Sequence, residues 1–269
     1  MIMHTELTAP RLVSFEKIDT SIYENAGEAC TAAAREIASL IRAKQSAGEQ
    51  AILGLATGST PKKVYAALVR MHKEEGLSFR NVVSFNLDEY YSLAPDALQS
   101  YRRFMDENLF RHIDIPAENC YLPDGLVAAE KVKQHCEQYE QLITSFGGID
   151  LQLLGIGRNG HIGFNEPGSH VSSVTRLITL DHSTRFDAAY DFGNLSNVPR
   201  KAITMGVGTI LQARRVILLA WGERKSGIIS QAIEGPVTEF VPASYLQGHQ
   251  NVEFILDESA AAELTRRKA

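Results

Sequence analysis

The feature that most constrains this chain is a regular alternation of short apolar runs with helical segments. The runs are Ala51–Leu55, Val82–Leu87, Ile149–Leu154, Val216–Trp221 and Val252–Leu256. They are apolar almost throughout rather than at every second residue, as expected of strands covered on both faces. Between them, apolar residues recur at helical spacing. Ala26, Cys30, Ala33, Ile37, Leu40 and Ile41 predict a helix near 24–44; Val132, Cys136, Tyr139, Ile143 and Phe146 predict one over 128–146. Further helices are expected from Pro61 to about Lys73, over roughly 99–111, near 223–233 and at the C-terminus. Strands alternating with helices predict an α/β fold: an open, mostly parallel sheet with helices on both faces. No Pro/Gly/Ser-rich linker divides the sequence, so residues 1–269 read as one domain.

The net charge of −5 argues against a nucleic-acid partner, which calls for a basic face. Val216–Trp221, the longest strongly apolar run, is far too short to span a bilayer. The stretch Met1–Lys17 has no apolar core of signal-peptide length. Cys30, Cys120 and Cys136 are odd in number and form no CxxC pair. A reducing, cytoplasmic setting therefore fits better than a disulfide framework.

In open parallel sheets the ligand lies beyond the carboxyl ends of the strands. Three strand ends here carry informative turns: 56–61, 88–90 and 155–168. In the first, Gly58, Ser59 and Thr60 precede a helix, with Thr60 suited to cap it and Pro61 to open it. Such a turn suits a phosphate, although a plain capped turn has the same composition. It lacks the Gly-Lys-Ser/Thr ending of a nucleotide P-loop. Asp88 and Glu89 form either a general base at a strand end, a solvated acidic pair or an N-cap. The third turn sets His161 and Glu166 among five glycines, a composition suited to proton transfer close to a ligand. It is unlike a dinucleotide-binding first turn, supplies no third metal ligand, and no GxSxG elbow occurs in the chain. Arg185 and Lys225 are candidate phosphate cations, or else ordinary surface charges.

Taken in order, Leu53–Pro61 (LGLATGSTP), Val83–Tyr90 (VSFNLDEY), Asp114–Asn119 (DIPAEN), Gly155–Pro167 and Val207–Leu211 (VGTIL) resemble the glucosamine-6-phosphate deaminase (isomerase) family. The resemblance spans roughly residues 12–265. It implies a modified Rossmann-like fold in a homo-oligomer, commonly a hexamer. It implies conversion of glucosamine 6-phosphate and water to fructose 6-phosphate and ammonia in amino-sugar catabolism, with no cofactor or metal. By the family's motifs, Asp88 resembles the base that moves a proton between C1 and C2. His161 resembles the acid–base group of ring opening, and Glu166 its carboxylate partner. Gly58, Ser59, Thr60, Arg185 and Lys225 match phosphate-binding positions.

Two departures stand out. The family typically has aspartate two residues before the histidine, where this chain has Asn159, with Arg158 beside it. An amide carries no charge to support an imidazolium, so slower ring opening or a different substrate is expected. In allosteric members, a second site for N-acetylglucosamine 6-phosphate follows the NEP motif. Ser169, Arg176 and Thr179 are its candidate remnants here, but Ile178 replaces a lysine and His170 a serine. Activation by that ligand is expected to be weak or absent. Two rival readings are a 6-phosphogluconolactonase-like hydrolase and a binding-only paralogue. Lactonase loops do not continue as Phe164-Asn165-Glu166-Pro167, and gluco- versus galacto-configuration is left open by the sequence.

Overall fold

The apolar runs become the centre of a seven-stranded parallel sheet in the computed structural model, which describes residues 15–265. Most of the N-terminal stretch read for a signal sequence lies outside those residues. The chain opens with β1 (Asp19–Tyr23), α1 (Ala26–Ser46), β2 (Ala51–Leu55), α2 (Lys62–Glu75) and β3 (Val82–Asn86). It continues with β4 (Asp88–Tyr90), α3 (Tyr101–Asn108), β5 (Cys120–Tyr121), α4 (Val132–Ser145) and β6 (Leu151–Gly155). Then come β7 (Arg176–Thr179), α5 (His182–Ala188), β8 (Lys201–Thr204), α6 (Val207–Leu211), β9 (Arg215–Ala220), α7 (Ser226–Ile233) and β10 (Val252–Asp257).

The large sheet has the order β1-β10-β9-β6-β2-β3-β5, with every neighbouring pair parallel. From β2 the chain builds outward through β3 to β5, then returns to lay β6, β9 and β10 on the other side. The strand order thus reverses between β2 and β6, and a crevice opens beyond their carboxyl ends.

Successive strand residues point to opposite faces, so each strand feeds two cores. In β9, Val216, Leu218 and Ala220 pack with α4, α6 and α7 residues such as Tyr139, Ile210 and Ile229. Ile217 and Leu219 pack with α1 and α2 residues such as Ile37 and Leu68. The predicted layering, helices on both faces of a parallel sheet, is present. Helix α1 is capped by Asn25, whose side chain accepts from the amides of Gly27 (2.9 Å) and Glu28 (3.1 Å). Such a cap stabilises a helix by about 1 kcal/mol.

Some elements differ from the sequence expectation. Residues 88–90 are not a turn: the chain leaves β3, passes Leu87 and enters β4, the edge of a second, antiparallel sheet of order β4-β8-β7. Its strands have three or four residues, too few to show a period. Among the described residues no α-helix follows β10; residues 258–264 form turns and a bend that bury Ala260, Ala261 and Leu264. Thr60 does not cap α2, which begins at Lys62 with Pro61 at the cap position and no side-chain cap. The small sheet is tied to the large one by Glu140 of α4. Its carboxylate accepts from the Thr175 amide and the Thr209 hydroxyl, each at 2.7 Å, fixing the entry to β7.

Candidate active site

A cleft of about 300 Å³ occupies the crevice at the β2/β6 switch point. The turn after β2, Leu87 and Asp88 after β3, the glycine-rich turn after β6, α5 and Lys225 line it. In the first turn Gly58 adopts φ +96°, which bends the backbone so that Ser59 and Thr60 face the cleft. The Trp221 indole donates to the Thr60 carbonyl (3.2 Å) and holds the turn against β9. With no side chain capping α2, its first amides and its dipole are open to an anion. Lys225 enters from the start of α7, its ammonium donating to the Ile156 carbonyl at 2.7 Å. Burial holds its pKa below the ordinary lysine value and the Arg158 charge adds to this, while Asp187 opposes it.

Arg185, the other candidate phosphate cation, does not line this cleft. Its guanidinium donates to the carbonyls of Leu195 (2.8 Å) and Val198 (3.1 Å), and Nε is buried without a partner. It sits on α5, one residue beyond the cleft-lining Thr184, and faces the loop rather than the crevice.

Asp88 and Glu89 are both buried, yet strand geometry separates them. As neighbours on β4 they point to opposite faces. Glu89 turns away from the cleft and accepts from the amides of Tyr90 (2.9 Å), Tyr101 (2.9 Å) and Arg102 (3.0 Å), two of them in the first turn of α3. It is a structural cap. Asp88 lines the cleft, and its carboxylate accepts no hydrogen bond from a described residue. Burial, followed by the nearby charge of Glu89, raises its pKa well above the usual aspartate value. A carboxylate so desolvated is a stronger base than one in water.

The turn after β6 brings an imidazole to the same cleft. His161 Nδ1 lies 2.8 Å from Asn159 Oδ1, 3.4 Å from Glu166 Oε2 and 3.4 Å from the Thr184 hydroxyl. The Asn159 amide also donates to Glu166 Oε2 at 2.9 Å. An amide whose NH₂ is committed to Glu166 presents its oxygen to the imidazole, so Nδ1 carries the proton and Nε2 keeps its lone pair. Burial opposes the Glu166 charge, but His161, Thr184 and Asn159 outweigh it and hold the carboxyl down at about 2. The ring needs Gly157: a Cβ there would stand 2.2 to 2.3 Å from three imidazole atoms. Arg158 turns outward to Asp187 (2.5 Å) instead of toward the imidazole.

The structure therefore brings together Gly58, Ser59, Thr60, Asp88, His161 and Lys225 on one cleft, with Asn159 and Glu166 behind the histidine. It also adds residues absent from the sequence reading: Tyr90, Tyr101, Thr184, Asp187 and Asp191. Tyr101 stacks on Phe164 (centroids 5.9 Å apart) and tilts against Tyr90 (5.0 Å), forming an aromatic wall. No local pattern marks them: Tyr90 comes from β4, Tyr101 from α3, Thr184 and Asp187 from α5 and Asp191 from the turn after it, and long-range packing brings them together. Ser169, Arg176 and Thr179 line a separate hollow beside the Glu166–Gly168 turn. There Arg176 donates to Asn165 Oδ1 (2.9 Å) and to the Ser169 hydroxyl (3.1 Å). Among the described residues, no group of three His, Cys, Asp or Glu side chains is placed to hold a metal ion, and no helix is long and apolar enough to cross a membrane.

The chain matches the model of the family described as Glucosamine-6-phosphate isomerases/6-phosphogluconolactonase over residues 24–254. The glucosamine-6-phosphate deaminase of Geobacillus sp. (strain WCH70) is 50% identical over 226 residues, covering 84% of this chain and 89% of that protein. A glucosamine-6-phosphate deaminase-like protein of Bacteroides thetaiotaomicron is 51% identical over 255 residues, 95% of this chain; the chain spans only 38% of that longer protein. Among solved structures, a monomeric glucosamine-6-phosphate deaminase superposes with TM-score 0.87 at 41% identity, covering 91% of this chain and 100% of its own. The 6-phosphogluconolactonase of Trypanosoma brucei superposes with TM-score 0.75 at 25% identity, covering 93% and 99%.

Proposed function

We propose, from the premise that this chain belongs to the glucosamine-6-phosphate isomerase/6-phosphogluconolactonase family, that it is a glucosamine-6-phosphate deaminase. The observation that carries the reading is the division of labour in the cleft. An unpartnered, buried carboxylate (Asp88) and a carboxylate-backed imidazole (His161) reach the same space from different strand ends. An aldose–ketose isomerisation needs two such groups, and a lactone hydrolysis has no use for a base aimed at carbon.

Lys225 and the Gly58–Thr60 turn hold the phosphate, remote from the reacting carbons. Binding energy there positions C1 and C2. His161 takes the proton of the anomeric hydroxyl through Nε2 and delivers it to the ring oxygen, giving the open-chain aldehyde. Glu166 supports the transient imidazolium, and Asn159 keeps the tautomer. Asp88 then removes the proton from C2 while a proton of the C2 ammonium passes to O1, leaving a neutral enolamine, and Asp88 returns its proton to C1. The resulting C2 iminium adds water and expels ammonia, giving fructose 6-phosphate. Arg185 is outside this scheme in the observed arrangement; its binding to phosphate would require exchange of the Leu195 and Val198 carbonyls for the ligand.

Purified protein incubated with glucosamine 6-phosphate is expected to release ammonia and fructose 6-phosphate, with no hydrolysis of 6-phosphogluconolactone. Lactone hydrolysis without ammonia release would refute the proposal. Galactosamine 6-phosphate run alongside reports the configuration read at C4. We read the enzyme as cytoplasmic and as one catalytic domain. The neighbour with TM-score 0.87 is described as monomeric, so it lends no support to the hexamer implied by the family motifs. Sedimentation of the purified chain decides between the two states.

A further inference from the structure

Helix α5 and the turn that follows it carry two carboxylates, four residues apart, along the mouth of the cleft: Asp187 and Asp191. Their surroundings differ. Asp187 pairs with Arg158 and acts on the Lys225 ammonium, so its charge is matched at the cationic end of the cleft. The Asp191 carboxylate accepts no hydrogen bond from a described residue. Its backbone, in contrast, is held on both sides. Its amide donates to the Ala188 carbonyl (3.0 Å), and its carbonyl accepts from the Gln99 side chain (3.0 Å). Phe192, the next residue, packs edge-on against the Tyr90 ring (centroids 5.2 Å apart), and Tyr90, Asp88 and Asp191 line the same cleft, so both carboxylates lie on the Tyr90 side of it. The charges of Asp88, Asp191 and Glu89 all act on the Tyr90 hydroxyl. The cleft is therefore bipolar. Lys225 and the turn after β2 form one pole; Asp88 and Asp191 form the other.

The structure assigns to Asp191 the recognition of the protonated amino group on C2 of the substrate, an inference that rests on the deaminase reading. The phosphate at the cationic pole fixes the direction of the sugar chain. C2 must then lie against Asp88, which removes its proton. The amino group is bonded to that same carbon, so it falls within the reach of whatever surrounds Asp88. If Asp88 also bound the ammonium, the attraction would quench it as a base. A second carboxylate, positioned by its backbone and without a cation of its own, removes that conflict. It also favours an amino group over a hydroxyl at C2, because the ammonium offers the exposed Asp191 carboxylate a charge-assisted hydrogen bond that a hydroxyl does not.

Two open-chain probes test this by calorimetry, which needs no turnover: 2-amino-2-deoxyglucitol 6-phosphate and glucitol 6-phosphate. They differ only at C2. The parent protein is expected to bind the amino probe on the order of tenfold more tightly, the effect of one charge-assisted hydrogen bond. Asp191→Asn should abolish that preference and leave glucitol 6-phosphate binding unchanged, while Asp191→Glu restores part of it. A merely structural role would weaken both probes together. Retention of the preference in Asp191→Asn, or its absence in the parent, overturns the inference. If the parent releases no ammonia yet shows a preference that depends on Asp191, the deaminase reading fails and the assignment of Asp191 stands.

Discussion

Asn159→Asp is the perturbation that most directly tests the chemistry behind His161. The amide donates to Glu166 Oε2 at 2.9 Å and faces His161 Nδ1 at 2.8 Å. Aspartate keeps the acceptor toward the imidazole but replaces the donor with an oxygen, setting two carboxylates 2.9 Å apart. At that separation two unit charges repel by ~1.4 kcal/mol at the dielectric of water and by ~6 kcal/mol at an effective value near 20. The His161 and Glu166 side chains are 19% and 12% exposed, so the site lies between these limits. The least costly relief is one more proton, held on the imidazole that faces both carboxylates. The acid limb of the pH–rate profile for ammonia release should therefore move upward by about one unit or more, since one unit corresponds to ~1.4 kcal/mol. Near pH 7 the variant should also melt a few degrees lower, and the deficit should shrink on acidification. Continuous assay of ammonia from roughly pH 5 to 9 covers the range in which an imidazole titrates. An unmoved acid limb, with the variant folded, would refute the reasoning.

Asp88→Asn should abolish turnover and raise the thermal midpoint at neutral pH. A folded-state pKa raised by burial and by Glu89 means the native state prefers the neutral carboxyl, so its charge costs stability above the ordinary aspartate range. The gain should vanish at pH values below that range, where both states are protonated; melting curves at the two pH values check this. Glu166→Gln should flatten the acid part of the stability curve. Its carboxyl is held down at about 2, so its contribution is full above the unfolded value and is lost as pH falls from there through 2. The shift alone corresponds to ~3 kcal/mol, reduced to ~1–2 kcal/mol by solvent at the cleft. Gly157→Ala should fold, because the three atoms nearest the added Cβ, at 2.2 to 2.3 Å, all belong to the movable imidazole. Displacing that ring should lower kcat about a hundredfold with a near-parental circular dichroism spectrum.

Much of the architecture is legible in the amino-acid sequence alone. The central strands are continuous apolar runs because both of their faces are buried, and the helices between them show their buried stripe at the expected period. The two glycine-bearing turns were legible for a related reason: a strand end, glycine and polar side chains are adjacent in sequence. Tertiary structure alone decided the rest. Strands β4, β7 and β8 have three or four residues each, and their pairing partners are remote in sequence, so no local period reveals them. That pairing divides Asp88 from Glu89, turning one into the cleft and making the other a cap on α3. Arg185 and Lys225 looked equivalent as isolated cations. The packing of α5 turned one toward loop carbonyls and the start of α7 placed the other in the cleft. Tyr101 and Asp191 carry no motif, and they enter the site only because α3 and α5 fold over the same strand ends. Local composition decides what a segment becomes; which side chains share a cleft depends on contacts between segments distant in sequence.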